Sequence, residues 1–360
     1  MRRRRSILLT GATGALGTVL LAEIARTNPD ARLLAVTRGA TIEHPRAEPV
    51  TMDLARLSTA DMRRLGDIVS EAELVIHAAA DVGWQRPLDE AMRANFDPTA
   101  RLVEAARAAK TPPRFLHIST AFTTPPTRKL AAARPAGLEE TPFANAYEYS
   151  KWRAEACVKQ SGLDWTVVRP SLIVGSSRDG SMPKYNGIYP LFRLFAAGMA
   201  PIVPGDPAAL VDFVPVDWVV ARTLEALAGG ERIATVSAGP RALPLGRTIA
   251  IAHATISAFR ARHGCKPIPP PSILDPERYQ RFHRNFIASH ASPSVMLAID
   301  MVDTFAPYLS ALEPVASQPD PRDPDPAEYF PRVVEAWCAA NVAMATRRPF
   351  DWNRVIRSSA

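Results

Sequence analysis

A glycine turn near the start of the chain constrains its fold more than any other feature. Thr10-Gly11-Ala12-Thr13-Gly14-Ala15-Leu16-Gly17 follows a short apolar run, Ser6 to Leu9, and opens a helix-like run, Leu16 to Arg26. Strand, glycine turn and helix in that order open a Rossmann-type dinucleotide site. Gly11 takes a backbone shape other residues resist, Gly14 lets the chain touch a pyrophosphate, and Gly17 lets helix pack on strand. The helix N-terminus then offers free N–H groups to phosphate. Gly11, Thr13, Gly14, Ala15, Leu16 and Gly17 are therefore expected at the pyrophosphate.

Apolar runs alternate with helical stretches along the chain. Expected strands are Ser6–Thr10, Arg32–Thr37, Glu48–Met52, Leu74–His77, Arg114–Ser119, Thr166–Arg169 and Ile233–Ser237, and expected helices are Leu16–Thr27, Ala60–Val69, Leu88–Ala109 and Tyr147–Ser161. The alternation predicts an α/β fold, a doubly wound parallel sheet with helices on both faces. Near-continuous apolar strands such as Leu74-Val75-Ile76 suit a sheet covered on both sides. The dinucleotide-binding domain is placed at residues 1–170, with the strands near 166–169 and 233–237 joining its sheet. Residues 171–230 and 240–360 read as a smaller, mostly helical substrate cap, with proline-rich loops at Pro267–Pro271 and Gln318–Pro326. Its helices are expected at Arg247–Arg262, Val295–Phe305 and Glu328–Ala345. The Phe, Met and Ile content from Tyr279 to Met301 fits either a pocket lining or core.

A tyrosine and a lysine narrow the chemistry. In Tyr147-Glu148-Tyr149-Ser150-Lys151 a phenol and an ammonium stand four residues apart, on one face of a helix. A phenol with pKa near ~10 is a poor acid–base group at neutral pH, and a nearby ammonium is expected to pull that value down. Phe115 to Thr120 reads as a buried strand ending in two hydroxyls. Thr120, with Ser119 as the weaker candidate, would hold a substrate carbonyl while Tyr147 transfers a proton. After the second strand, Thr37-Arg38 stands where NAD-binding proteins carry an acid. Arg38 can pair with a 2′-phosphate and stack on adenine, which favours NADP(H) over NAD(H).

Taken together these motifs resemble the extended short-chain dehydrogenase/reductase superfamily. The resemblance rests on Thr10–Gly17, Asp53-Leu54, His77-Ala78-Ala79-Ala80, Asn95, Ser119-Thr120, Tyr147 with Lys151, and Arg169-Pro170-Ser171, in that order. It implies an NAD(P)-dependent oxidoreductase with Thr120, Tyr147 and Lys151 as catalytic residues, Lys151 also holding the nicotinamide ribose. It further implies Asp53 and Leu54 near adenine, Ala78, Ala79 and Ala80 beside the cofactor's sugar and phosphate, and Asn95, Ser119, Pro170 and Ser171 in the cofactor site. The stretch Val211-Asp212-Phe213-Val214-Pro215-Val216-Asp217-Trp218-Val219-Val220 is similar to the branch of fatty acyl-CoA reductases and terminal thioester reductases. That branch implies NADPH-dependent reduction of an acyl thioester, CoA- or carrier-bound, to an aldehyde or alcohol. The alternative is a dehydrogenase, reductase, epimerase or dehydratase acting on a ketone, sterol or nucleotide sugar. A non-enzymatic nucleotide sensor would have no need of Thr120, Tyr147 and Lys151 together.

Composition trims the remaining classes. With 360 residues and 47% hydrophobic content the chain can bury a large core. No apolar run reaches the ~20 residues of a membrane helix, and Ile7 to Leu9 is too short for a secretory signal. The basic start, Met1 to Arg5, reads as a solvated tail. Three scattered cysteines, Cys157, Cys265 and Cys338, show neither metal nor disulfide spacing, so no metal is expected and a cytoplasmic setting is. His77 and His117 end apolar strands and read as packing residues. A net charge of +7 suits CoA phosphates or an acidic acyl carrier protein as partners, while no nucleic-acid-binding pattern is present.

Overall fold

The computed structural model describes residues 5–124, 136–290, 292–317 and 320–352, and the chain divides into two units. Met1–Arg4 of the basic tail, and Gln318 and Pro319 of the second proline-rich stretch, lie outside the described residues.

The first unit is built on one sheet of seven parallel strands. These are β1 (Ser6–Thr10), β2 (Arg32–Thr37), β3 (Ala47–Thr51), β4 (Leu74–His77), β5 (Arg114–Ile118), β6 (Trp165–Pro170) and the strand Ile233–Val236. From one edge the order runs Ile233–Val236, β6, β5, β4, β1, β2, β3, so the winding reverses between β4 and β1. In an open α/β sheet that reversal is where a ligand crevice forms, beyond the strands' carboxyl ends. β1 and β4 are buried along their whole length, which explains their unbroken apolar sequence. The edge strand β3 exposes most of its residues and carries Pro49, which an interior strand would reject.

Five helices complete the part of this unit that frames the crevice: α1 (Ala15–Thr27), α2 (Thr59–Glu71), α3 (Leu88–Ala91), α4 (Asp97–Ala108) and α5 (Ala146–Lys159). Leu65 and Val69 of α2 and Leu102 and Val103 of α4 close over Leu8, Leu34, Val75 and Phe115 of the sheet. Each such side chain is worth roughly 1.5–3 kcal/mol when taken out of water. Local signals set the helix ends. Ser58 and Asp61 form a reciprocal capping box at α2. The Arg46 guanidinium bonds the carbonyls of Asn28 (3.0 Å), Pro29 (2.7 Å) and Ala31 (3.1 Å) just past α1, a cation at the negative end of a helix.

Two expectations are corrected. The single helix expected over Leu88–Ala109 is interrupted by a π turn, Met92–Phe96. Pro98 has no N–H for the carbonyl four residues back, so the regular ladder cannot run through unbroken. The cap was also expected to extend to residue 230, but Val216–Val236 belongs to the sheet unit. The helix Val216–Gly229 buries Val216, Val219, Val220, Thr223 and Ala226 and leads into the seventh strand.

The second unit is mostly helical, as expected, and among its described residues adds three two-stranded sheets of two or three residues a strand. Leu172–Val174 pairs with Phe213–Pro215, Leu210–Val211 with Leu243–Pro244, and Ile202–Pro204 with Ser272–Leu274. Helices Leu245–Arg262, Pro293–Phe305 and Pro326–Ala340 match the sequence expectation closely, with a further short helix at Val342–Ala345. Phe192, Phe213, Phe330 and Trp337 form its aromatic centre, with ring separations of 4.5–6.0 Å. Tyr279, Val295 and Ile299 pack together as core rather than lining a pocket.

Gly11 and Gly17 carry the tightest constraint. Gly11 has φ 77°, and a Cβ there would sit 2.6 Å from the Ala79 nitrogen; a Cβ on Gly17 would sit 2.0 Å from the Gly11 oxygen. Gly11→Ala is expected to destabilise the first unit by about 2–5 kcal/mol, left-handed strain plus overpacking. Gly66→Ala, inside α2 where a Cβ meets nothing within 4 Å, is expected to stabilise by about 0.5–1 kcal/mol. Denaturant unfolding of the two variants beside wild type checks both signs, and a Gly11→Ala midpoint equal to wild type would contradict the first.

Candidate active site

Every residue expected at the site lies in the first unit. The glycine turn and the Ala78–Ala80 turn sit side by side at the carboxyl ends of β1 and β4, where the winding reverses. Ala78 N–H bonds the Thr10 carbonyl (3.3 Å) and Ala79 N–H bonds the Thr10 hydroxyl (3.2 Å). Gly14 is the N-cap of α1 in an extended conformation, with no side chain capping the helix and no acid in its first turn. Such a helix start receives an anion well. A β-carbon at Gly11 or Gly17 would meet the protein's own backbone, so only glycine lets this turn pack so closely at the helix start. Arg38 is exposed immediately after β2, and Thr37 turns its hydroxyl to the Ala40 carbonyl (2.9 Å). Asp53 follows β3 beside the buried Leu54 and accepts from Ala55 N–H (3.0 Å).

Beneath this crevice runs a polar chain that the sequence did not disclose. Thr10 Oγ1 meets His77 Nδ1 at 2.7 Å, and His77 Nε2 meets Thr99 Oγ1 at 2.9 Å. Thr99 gives its one proton to the Asn95 carbonyl (2.8 Å), so Nε2 of His77 must donate and Nδ1 accept. Burial, with the Lys151 charge nearby, lowers the His77 pKa to about 3, so the ring is neutral. Asn95 spends its whole side-chain amide locally. It accepts from Asp81 N–H (2.7 Å) and donates to the Asp81 carbonyl (3.1 Å) and to Ser150 Oγ (2.9 Å). Asn95 thus ties the loop after β4 to α5, a more structural place than the cofactor contact expected for it.

Helix α5 starts at Asn145, whose side chain accepts from Glu148 N–H (2.9 Å), while Glu148 accepts from Ala144 N–H (2.8 Å). One turn in, Tyr147 and Lys151 share a face, both buried. The Tyr147 hydroxyl is hydrogen-bonded to Thr120, which stands at the end of β5 and also donates to the Pro170 carbonyl (3.4 Å). The three residues expected to be catalytic are therefore gathered in one place. Ser119 is drawn elsewhere: its hydroxyl donates to Glu155 (2.9 Å). Ser171 is buried, and its hydroxyl oxygen has no hydrogen-bond partner among the described residues.

The electrostatics differ from the sequence expectation in one respect. Burial raises the Tyr147 pKa to about 12; the Thr120 hydrogen bond pulls it back in part, and the Glu148 charge adds to the rise. The ammonium does not lower it as expected, because Lys151 is itself desolvated, with its pKa lowered to about 7, and gives its Nζ to the Ile118 carbonyl (2.6 Å). A phenol held in its protonated form is the state a proton donor needs. Thr10, His77, Thr99, Ser150 and Glu155 are the participants that sequence reading missed. Only Glu155 left a signal, continuing the i, i+4 spacing of Tyr147 and Lys151.

Residues 44–223 match the model of an NAD-binding family described as male sterility protein. Fatty acyl-CoA reductase 1 of Homo sapiens is 28% identical over 290 residues, covering 62% of this chain and 54% of that protein. Fatty acyl-CoA reductase 2 of Bos taurus is 26% identical over 279 residues, covering 61% and 54%. The chain thus spans about half the length of the curated relatives it matches. Among solved structures, the terminal R domain from the myxalamid PKS-NRPS biosynthetic pathway superposes with a TM-score of 0.66 at 22% identity, over 96% of this chain and 92% of that one. That likeness bears on the fold.

The buried lysine makes stability depend on pH. Lys151 titrates near 7 in the fold against 10.5 ordinarily, so between those values the unfolded chain holds the extra proton and stability rises with pH. Below pH 7 the desolvation cost is present in full. Relative to Lys151→Met, the wild-type chain is expected to gain stability on going from about pH 6.5 to about pH 9.5. Paired unfolding midpoints test this, and a constant gap between the two proteins would contradict it.

Proposed function

The chain belongs to the male sterility protein family of NAD-binding domains, within the extended short-chain dehydrogenase/reductase superfamily, and from that premise we propose that it reduces an acyl thioester with NADPH. The observation that carries the reading is the hydrogen-bonded pair Thr120–Tyr147 beside buried Lys151, at the carboxyl end of a nucleotide-binding sheet. The fatty acyl-CoA reductases among its relatives supply the substrate class.

When bound, a nicotinamide cofactor supplies the hydride. The protein's part is to hold and protonate the substrate. On substrate binding Thr120 would turn its proton from the Pro170 carbonyl to the substrate's carbonyl oxygen beside Tyr147, and that oxygen gains charge as the carbonyl is reduced. Tyr147, protonated throughout the physiological range, gives that oxygen its proton. The resulting hemithioacetal collapses to aldehyde and free thiol, and no cysteine nucleophile is required. Lys151 would hold the cofactor ribose, and the glycine turn and α1 N-terminus would hold the pyrophosphate.

Arg38 is the proposed selector of NADPH over NADH. It is exposed at the end of β2, where a 2′-phosphate would meet it. The chain as a whole carries a net charge of +7, which suits CoA phosphates or an acidic acyl carrier protein as the thioester's bearer. The three cysteines are free, as a reducing cytoplasm allows. Among the described residues no helix is long and apolar enough to cross a membrane.

NADPH oxidation should be followed against acyl-CoAs, acyl-carrier thioesters, aldehydes and ketones, with products identified by mass. Turnover of thioesters to aldehyde or alcohol is expected; turnover of ketones alone would replace this reading with the dehydrogenase one. Tyr147→Phe should lower kcat by about 10²–10⁴-fold with cofactor affinity retained. Arg38→Ala should weaken NADPH binding by about 1.5–3 kcal/mol, the worth of a charge-assisted phosphate bond, while sparing NADH. Equal losses for the two cofactors would remove Arg38 from the selector role.

A further inference from the structure

A buried carboxylate sits one turn beyond Lys151 on the same face of α5. Glu155 is 2% exposed, and four groups converge on it. Ser119 Oγ donates at 2.9 Å and Arg169 Nε at 3.0 Å, with a second Arg169 nitrogen on the other carboxylate oxygen, while Thr123 Oγ1 stands 3.2 Å away and shares its one proton with the Thr120 carbonyl at 2.9 Å. Lys159, another turn along, stands 3.5 Å away at the surface. Ser119 and Thr123 bracket Thr120, and Arg169 immediately precedes Pro170, whose carbonyl receives the Thr120 hydroxyl. One carboxylate therefore fixes both flanks of the Thr120 segment and the strand residue beside its acceptor.

We propose that Glu155 is a positioning residue for the proton-handling group: it holds Thr120 against Tyr147 and sets a negative charge one turn from Lys151. The proposal rests on the roles given above to Thr120, Tyr147 and Lys151. A residue that merely stapled α5 to the sheet would not need to face the lysine. Groups from three elements surround Lys151. From its own helix it faces Tyr147 and Glu155; from β4 and β5 it faces His77 and His117, both held neutral by burial. Arg169 and Lys159 lie beyond Glu155 and are paired to it. Glu155 is thus the negative charge that offsets desolvation of the ammonium, and it acts to raise the lysine's lowered pKa.

The two parts separate by substitution. Glu155→Gln removes the charge and weakens the clamp. It should lower kcat by about 10–100-fold and move the basic limb of the kcat–pH profile about one unit toward lower pH, with KM little changed. Glu155→Asp keeps the charge but shortens the reach, and should lower kcat without moving the limb. The double variant Ser119→Ala/Thr123→Val removes two donors, leaves the ion pair intact, and should do the same; with Glu155→Asp it tests the clamp even if Glu155→Gln does not fold. A purely structural carboxylate would leave the limb in place in all three, and that result overturns the charge role. Unchanged kcat in Glu155→Asp and in the double variant overturns the clamp. A titration independent of substrate and cofactor keeps this apart from the thioester reading. In 13C-lysine NMR of the full chain, with the Lys151 signal assigned by Lys151→Arg, Glu155→Gln should shift the midpoint to lower pH. If the midpoint shifts while thioesters are not reduced, the substrate assignment fails and this inference stands. If thioesters are reduced and neither midpoint nor kcat responds, this inference fails alone.

Discussion

The closeness of three backbones at the winding reversal is the constraint on which the rest depends. The Gly11 peptide lies against Ala78 and Ala79 on one side and against the start of α1 at Gly17 on the other, with no room for a β-carbon. That contact does two things at once. It sets the depth at which α1 packs on β1, and it joins the ends of β1 and β4 into one continuous backbone surface. The neighbouring Thr10 hydroxyl extends the join into the interior, through His77 and Thr99 to Asn95 and from there to Ser150 on α5. The nucleotide cradle and the helix bearing Tyr147 are therefore parts of one hydrogen-bonded framework rather than two sites that happen to adjoin.

Burying ionisable groups in such a framework is costly, and the arrangement along α5 shows how the cost is limited. Glu155 has its oxygens occupied by Arg169, Ser119 and Thr123, so its charge is matched by donors. Lys151 is less fully compensated: one backbone carbonyl and one carboxylate a turn away leave it with a pKa near neutrality. His77 escapes the cost by remaining neutral. A gradient results along a single helical stripe, from a protonated phenol through a marginal ammonium to a fully paired carboxylate.

Much of this was legible in the sequence. The strands Ser6–Thr10, Arg32–Thr37 and Leu74–His77 were readable to the residue because buried parallel strands leave unbroken apolar runs between turn signals. That Thr120, Tyr147 and Lys151 stand together was readable from their residue types and spacing, while their catalytic role is the proposal made above. What stayed hidden were effects of long-range neighbours. His77 looked like a packing residue, since nothing near it in sequence reveals Thr10 and Thr99. The tyrosine's pKa was misjudged because spacing shows a lysine nearby but not the desolvation that weakens it. The extent of the sheet unit was misjudged because the helix Val216–Gly229 follows substrate-side sequence yet serves the seventh strand.

The π turn at Met92–Phe96 has a genetic corollary. A π turn is equivalent to one residue added to an α-helix, and at 3.6 residues per turn that residue rotates everything before it by about 100° relative to everything after. Asn95 lies within the turn, with Thr99 just past it and Leu88–Ala91 before it. Loss of a single codon between them would take out the added residue, with Pro98 still interrupting the ladder. It would also swing the Leu88–Ala91 face away from Leu138 and Ala146, against which Ala91 and Leu88 pack. At this point in the gene the reading of helix phase is held by one amino acid, and length, more than composition, is what the segment cannot change.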